Sequence, residues 1–358
     1  MKKHILNIVL AACSLGAIAQ TLTPSVLNEK PLADRLYERQ VQKQIELSKV
    51  LAERNLEART VGPNGIIKEA VYVTPSGHIV YNTTYNIGAG RTLSTNKVWP
   101  GGTVGVSLTG AGMPNRLGIW DGGAVLTSHQ EFGGRVTQTD GASTLSDHAT
   151  HVAGTMIASG VDAYAKGMSY QATLKAHDWT NDETEMATAA AAGMLISNHS
   201  YGSICGWYLN GSAYQWYGDP SISNTEDYKF GYYDYGAQSW DDIAVNYPNY
   251  LICKAAGNDR GDNLSGSSWT YSNGSTGSGT PPAKDGGTLG YDCIATNATA
   301  KNVLTVGAVK KIGDNTGNGW TQASDVVMSS FSGWGPTDDG RIKPDVVSPG
   351  VSIYSSVS

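Results

Sequence analysis

Residues 173–202 read TLKAHDWTNDETEMATAAAAGMLISNHSYG: a short apolar run, a stretch of small residues with helical character, and a second apolar run. Parallel strands need a crossover, usually helical, and strands buried on both faces read as near-continuous apolar runs. This stretch therefore predicts a β-α-β unit in a parallel sheet. Asp182 and Glu185, three residues apart at the head of the helical part, have the spacing of a capping box.

The same alternation continues on both sides, from about Gly102 onward. RLGIWDG (116–122) and LICKAAGN (251–258) read as buried strands, as does NVLTVGAV (302–309), and DHATHVAGTMIAS (147–159) reads as a small-residue helix. The fold class predicted is α/β, a parallel sheet flanked by helices. Ligands of such sheets bind beyond the carboxyl ends of the strands. Asp121, the segment Asn198-His199-Ser200-Tyr201-Gly202, and Asn258 all follow strands directly, so they converge on one rim, the candidate site.

Composition narrows the classes. The 358 residues allow one large domain plus an N-terminal segment, and 44 glycines, 19 tyrosines and nine tryptophans with only 16% charged residues suit a loop-rich globular protein. A net charge of −6 argues against nucleic acid or anionic membrane as partner. The opening MKKHILNIVLAACSLGAIAQ has Lys2 and Lys3, an apolar run and small residues up to Ala19, the pattern of a secretory signal peptide, too short for a membrane span. Its LAAC at 10–13 also resembles a lipoprotein box, with Cys13 as the lipid site, but the apolar run continues past it and cleavage after Ala19 is favoured. In the oxidising setting this implies, Cys205, Cys253 and Cys293 permit one disulfide in three pairings.

Residues 20 to about 60 predict a charged helix with Leu32, Leu36, Val41 and Ile45 along one face, and residues 70–85 predict a hairpin around Pro75-Ser76-Gly77. Residues 86–102 read as a linker. The chain thus divides into a signal peptide (1–19), a propeptide-like or accessory segment (20–96) and a main domain (97–358). Within the main domain, residues 203–250 form a long aromatic insertion, read as packing mainly as a surface loop, whose last part is helical. Residues 265–282 read as a flexible loop. No internal repeat is evident.

Each rim residue alone has a bland reading. Asp121-Gly122-Gly123 and Gly257-Asn258 are ordinary turn chemistry, and His148 with His151 has no third ligand at a recognisable metal spacing. Together they are far more specific. Asp121, then HATHVAGT, SNHSYG, AAGN and FSGWGPTDDGRIKPDVVSPG (331–350) follow the order found in subtilisin-like serine proteases, a resemblance running from about Leu108 to the end. It implies a subtilisin-like fold with Asp121 as triad aspartate, His148 as general base and His151 as a structural neighbour. It further implies Asn258 as oxyanion donor, Ser200, Tyr201 and Gly202 as the edge that pairs with substrate backbone, and Ala256 and Gly257 as pocket lining.

Three departures stand out. Ala149 replaces a glycine beside the histidine, Gly122 replaces the usual Ser or Thr after the aspartate, and no GTSMAxP segment occurs. That segment carries the family's nucleophilic serine and follows the VVAPG block, so the serine is expected beyond Ser358. The function expected is a secreted bacterial serine endopeptidase acting on proteins or peptides, with a non-catalytic peptide-binding protein as the alternative. A metal-dependent hydrolase built on His148 and His151 ranks lowest. No cofactor is expected for catalysis. Structural calcium follows from the resemblance alone, since residues 314–319 (DNTGNG) lack alternating carboxylates.

Overall fold

Strand β4 (Leu117–Asp121) sits inside a seven-stranded, all-parallel sheet in the order β13-β12-β10-β7-β4-β6-β5. The other members are β5 (Val136–Gln138), β6 (Leu174–Asp178), β7 (Ile196–His199), β10 (Leu251–Ala255), β12 (Leu304–Val309) and β13 (Val346–Pro349). The computed structural model describes residues 32–358 apart from 62–66, 74–76, 78, 84–85, 211–212 and 313–321. The signal peptide, Cys13 and the 314–319 stretch lie outside the described residues.

Alternating side chains of β4 feed two cores, as the period of a strand requires. Ile119 packs with Phe132, Leu174 and the inner face of α3 (Asp147–Ile157), where Ala149 and Ala153 let the helix lie close. Trp120, fully buried, packs on the other face against α4 (Asp182–Ala191) and α5 (Tyr235–Asn246) through Met186 and Trp240. Helices on both faces explain why the strands read as apolar runs rather than alternating ones. The α/β prediction is met, with the strands and helices of the 173–202 unit where the sequence puts them.

The capping box does not form. The N-cap of α4 is Asn181, in the left-handed region and without a side-chain cap. Asp182 instead accepts from the Tyr201 hydroxyl at 2.6 Å, and Glu185 from Trp120 Nε1 at 3.0 Å. Tertiary partners have outcompeted the local motif.

Residues 203–250 also contain more than a loop. Strands β8 (Trp207–Asn210) and β9 (Ala213–Trp216) pair antiparallel, and β11 (Thr270–Tyr271) joins β9. Trp207, Trp216 and Trp269 form their own buried cluster. Trp269 belongs to the stretch read as flexible. A Cβ on Gly277 would lie 2.0 Å from its ring, so part of the glycine content serves close packing and not flexibility. The cysteines form no disulfide: Cys205, Cys253 and Cys293 are all free thiols, and burial pushes each of them up.

Compact packing divides the chain between Thr83 and Thr84. In the smaller unit, α1 (Leu32–Glu53) packs on an antiparallel sheet of β1 (Arg59–Val61), β2 (Ile67–Val73) and β3 (Ile79–Thr83). The hairpin is present and β1 extends it. The helix face is not the one predicted, because Val41 and Ile45 are exposed while Leu47 and Leu51 pack on Ala70 and Val73. In the larger unit, residues 86–102 are no plain linker: α2 (Asn86–Thr92) forms there, Ala89 is buried, and Trp99 Nε1 donates to the Met168 carbonyl at 2.9 Å.

Candidate active site

Ser146 caps α3, its hydroxyl accepting from the Ala149 N–H at 3.1 Å, and Asp147 occupies the first turn where the helix dipole favours a carboxylate. Capping fixes His148 at the start of the helix, facing the end of β4. There Asp121 Oδ1 meets His148 Nδ1 at 2.7 Å and also accepts from the Gly122 N–H at 2.8 Å. Asp121 is 2% exposed, whereas the His148 side chain is 60% exposed. A buried carboxylate thus holds one nitrogen of an imidazole whose body faces solvent, which fixes the tautomer and leaves Nε2 for chemistry. Asp121 raises the His148 pKa above its usual value through the hydrogen bond and its charge, with partial burial opposing.

The departures from the family motifs have physical accounts. Gly122 lies under Trp179, whose ring would stand 2.8 Å from any Cβ there. Ala149 is fully buried in the α3 core, so its extra methyl packs instead of obstructing the rim. His151 turns away, its Nε2 donating to the Ile353 carbonyl at 3.1 Å. It shares no three-residue metal cluster with His148 among the described residues.

Beyond the ends of β7 and β10 lies a cleft of about 190 Å³ that gathers Ser200, Tyr201, Gly202, Ala256, Gly257 and Asn258. Asn258 is exposed at its edge. The sequence reading missed two features of this cleft. Tyr208, from β8 of the aromatic insertion, lines it, so the insertion walls part of the cleft. Lys254 is the other: a buried ammonium on β10 that donates to the Tyr201 and Ala255 carbonyls, the latter at 3.1 Å. Burial pushes its pKa down to about 8, while Asp259, in the same wall, is pushed up to about 6 by burial and by Asp262. A lysine inside an apolar strand was the available signal.

Behind the rim, His199 is fully buried between Trp120, stacked at 5.2 Å, and Trp240. Its nitrogens meet Ser197 Oγ at 2.8 Å and the Tyr201 hydroxyl at 3.1 Å. Burial drives its pKa far down, so it is a neutral packing residue that braces Tyr201.

The last residues run back along α3. Ser355 Oγ donates to the His151 carbonyl at 2.8 Å, and the Ser358 N–H to Asp147 Oδ1 at 3.1 Å. Residue 358 therefore stands at the helix turn that carries His148.

The model of the subtilase family, Peptidase S8, matches residues 121–358, more than half of the chain. The chain belongs to the subtilase family, a family of serine proteases. Among solved structures it is similar to the prenylagaramide maturation protease PagA (17% identity, covering 75% of this chain and 70% of that one, TM-score 0.42). It is also similar to the CspB protease of Clostridium perfringens (15% identity, 70% and 78% covered, TM-score 0.45). The epidermin leader peptide processing serine protease EpiP of Staphylococcus aureus is a third (17% identity, 73% and 57% covered, TM-score 0.41). Comparison with curated proteins gives no match. Among the described residues, no helix is long and apolar enough to cross a membrane.

Proposed function

We propose that this chain carries the base-and-oxyanion half of a secreted endopeptidase that cleaves peptide bonds by acyl transfer. The nucleophile would be a serine in chain following residue 358. The carrying observation is the 2.7 Å contact between buried Asp121 and exposed His148. In this reading the serine attacks the scissile carbonyl as His148 Nε2 takes its proton. Asp121 orients the ring and stabilises the imidazolium, and His148 then returns the proton to the leaving amine. The Asn258 amide donates to the oxyanion as charge develops there. The return of the chain to Asp147 supports a serine arriving beside His148.

Substrate is a protein or peptide in extended form. Its backbone pairs with the Ser200-Tyr201-Gly202 edge by strand addition, and a side chain enters the cleft lined by Ala256 and Gly257. Catalysis requires no cofactor, calcium serving at most as a structural ion. The separately packed N-terminal unit supports a propeptide-like role for the part of residues 20–96 that ends at Thr83, since residues 84–96 belong to the larger unit.

The test is casein hydrolysis by the protein expressed from its native gene. His148→Ala abolishes it and Asn258→Ala lowers kcat by about 10²- to 10³-fold, a magnitude known from subtilisin itself. Peptide binding without hydrolysis in the unmutated protein would instead establish the non-catalytic alternative.

A further inference from the structure

On the far side of Trp120 from His199, three potential ligands converge. Asp140 follows β5, His177 lies on β6 and Glu185 in the first turn of α4; one ligand atom of each lies within 4.8 Å of the other two. All three line a cavity of about 400 Å³ that also includes Lys175, Thr188 and Met194. We propose that Asp140, His177 and Glu185 form a binding site for a divalent transition-metal ion of the zinc type.

The central observation concerns His177. Its ring is buried, yet Nδ1 makes no hydrogen bond. That atom stands 3.2 Å from Glu185 Oε2, close enough for an ion pair but without the angle of a hydrogen bond. Two ligands each about 2.0–2.1 Å from a tetrahedral ion stand about 3.3–3.4 Å apart. The His177–Glu185 spacing is thus the edge of a coordination tetrahedron, and a shared ion would satisfy both atoms. A buried ring nitrogen with no partner otherwise costs free energy.

The surroundings are those of a braced metal site. Trp120 stacks on the His177 ring at 4.3 Å and 10°, and its Nε1 donates to Glu185 Oε2 at 3.0 Å, orienting the carboxylate. Asp140 is held by three donors: Gln138 Nε2 at 2.9 Å, the Ala142 N–H at 3.1 Å and the Asp178 N–H at 2.5 Å. Oδ1 accepts the first two of these, while Oδ2 accepts only the Asp178 N–H and keeps a lone pair for an ion. Asp140, Asp178 and Asp182 stand near Glu185 as like charges, a repulsion that a bound cation would relieve. Lys175 in the same wall works against a cation. Burial and Lys175 hold the imidazole below its usual pKa despite Asp140, in the neutral form that ligates. One nitrogen and two carboxylates suit zinc or cobalt better than calcium, which takes six to eight oxygens. The ion would tie the loop after β5 to β6 and α4, stiffening the strand pair that ends in Asp121.

This site does not depend on the peptidase reading, and its test does not use activity. The full chain, stripped with chelator, is titrated with Zn²⁺ by calorimetry and followed by thermal melting, then loaded with Co²⁺ for visible spectroscopy. One equivalent of Zn²⁺ is expected to bind and raise the Tm. Co²⁺ should give ligand-field bands without the thiolate charge-transfer band that Cys205, Cys253 or Cys293 would produce, and Ca²⁺ should not compete. Asp140→Asn, His177→Gln and Glu185→Gln should each weaken Zn²⁺ binding at least tenfold, and His129→Gln, outside the site, should not. If His177→Gln fails to fold, Asp140→Asn decides, because that side chain is exposed. Absence of saturable Zn²⁺ binding, undiminished binding in Asp140→Asn and Glu185→Gln, or equal binding of Ca²⁺ would overturn the proposal.

Discussion

At Asp121 a single carboxylate does two jobs, ending a central strand and holding a histidine. Its hydrogen bond raises the pKa of His148, so the neutral, base-competent ring predominates only above the usual histidine value of about 6.5. The acid limb of kcat/KM is accordingly expected above pH ~6.5, with activity rising as pH passes through the raised value. Asp121→Asn should move that limb to lower pH and cut kcat by about 10⁴-fold, because the amide favours the wrong tautomer. A pH–rate profile of both proteins checks this, and an unmoved limb would mean that another group titrates. Stability follows the sign of the same shift. A raised histidine pKa contributes stability that is fully present below the unfolded value and lost as pH rises through the folded one. Lys254 shows the converse case, where burial pushes an ammonium down to about 8 and its role is to brace the Tyr201 carbonyl.

Among the elements, the small aromatic sheet is the largest addition to what the sequence reading anticipated. Trp216 is fully buried against Trp207 and Trp269, and Tyr271 packs edge-on at 6.0 Å. Trp216→Ala should destabilise the protein by about 3–5 kcal/mol, read by urea unfolding. A change below 1 kcal/mol would mean that the cluster folds independently of the main sheet. The contrast between this sheet and the 173–202 unit shows what was legible. Parallel strands announce themselves because burial on both faces forces apolar runs, and α3 does so because only small residues fit against the sheet. The β8–β9 pairing left no comparable signal: its strands are short, its residues mix Tyr, Gln and Asn with Trp, and β11 lies in a Gly- and Ser-rich stretch. The capping box misled because Asp182 and Glu185 found better partners in Tyr201 and Trp120. For the candidate site, motif order named Asp121 and His148, which meet, and the six residues that share one cleft. Lys254 and the Asp140–His177–Glu185 cluster escaped, since their meaning lies in which side chains the sheet order brings together.

Across the whole molecule, two cores on opposite faces of one sheet hold the strand ends in register, and the rim at those ends carries the His148–Asp121 pair and the cleft. Such a frame supplies orientation before any substrate arrives, which is the main requirement for acyl transfer at a fixed histidine. The most direct test is covalent labelling of the natively expressed protein with a fluorophosphonate, with mass spectrometry to locate the modified residue. Labelling is predicted on one serine C-terminal to residue 358, and its loss in His148→Ala. Failure to label, or labelling that persists at full rate without His148, would contradict the assignment of this rim as the catalytic half of a serine peptidase.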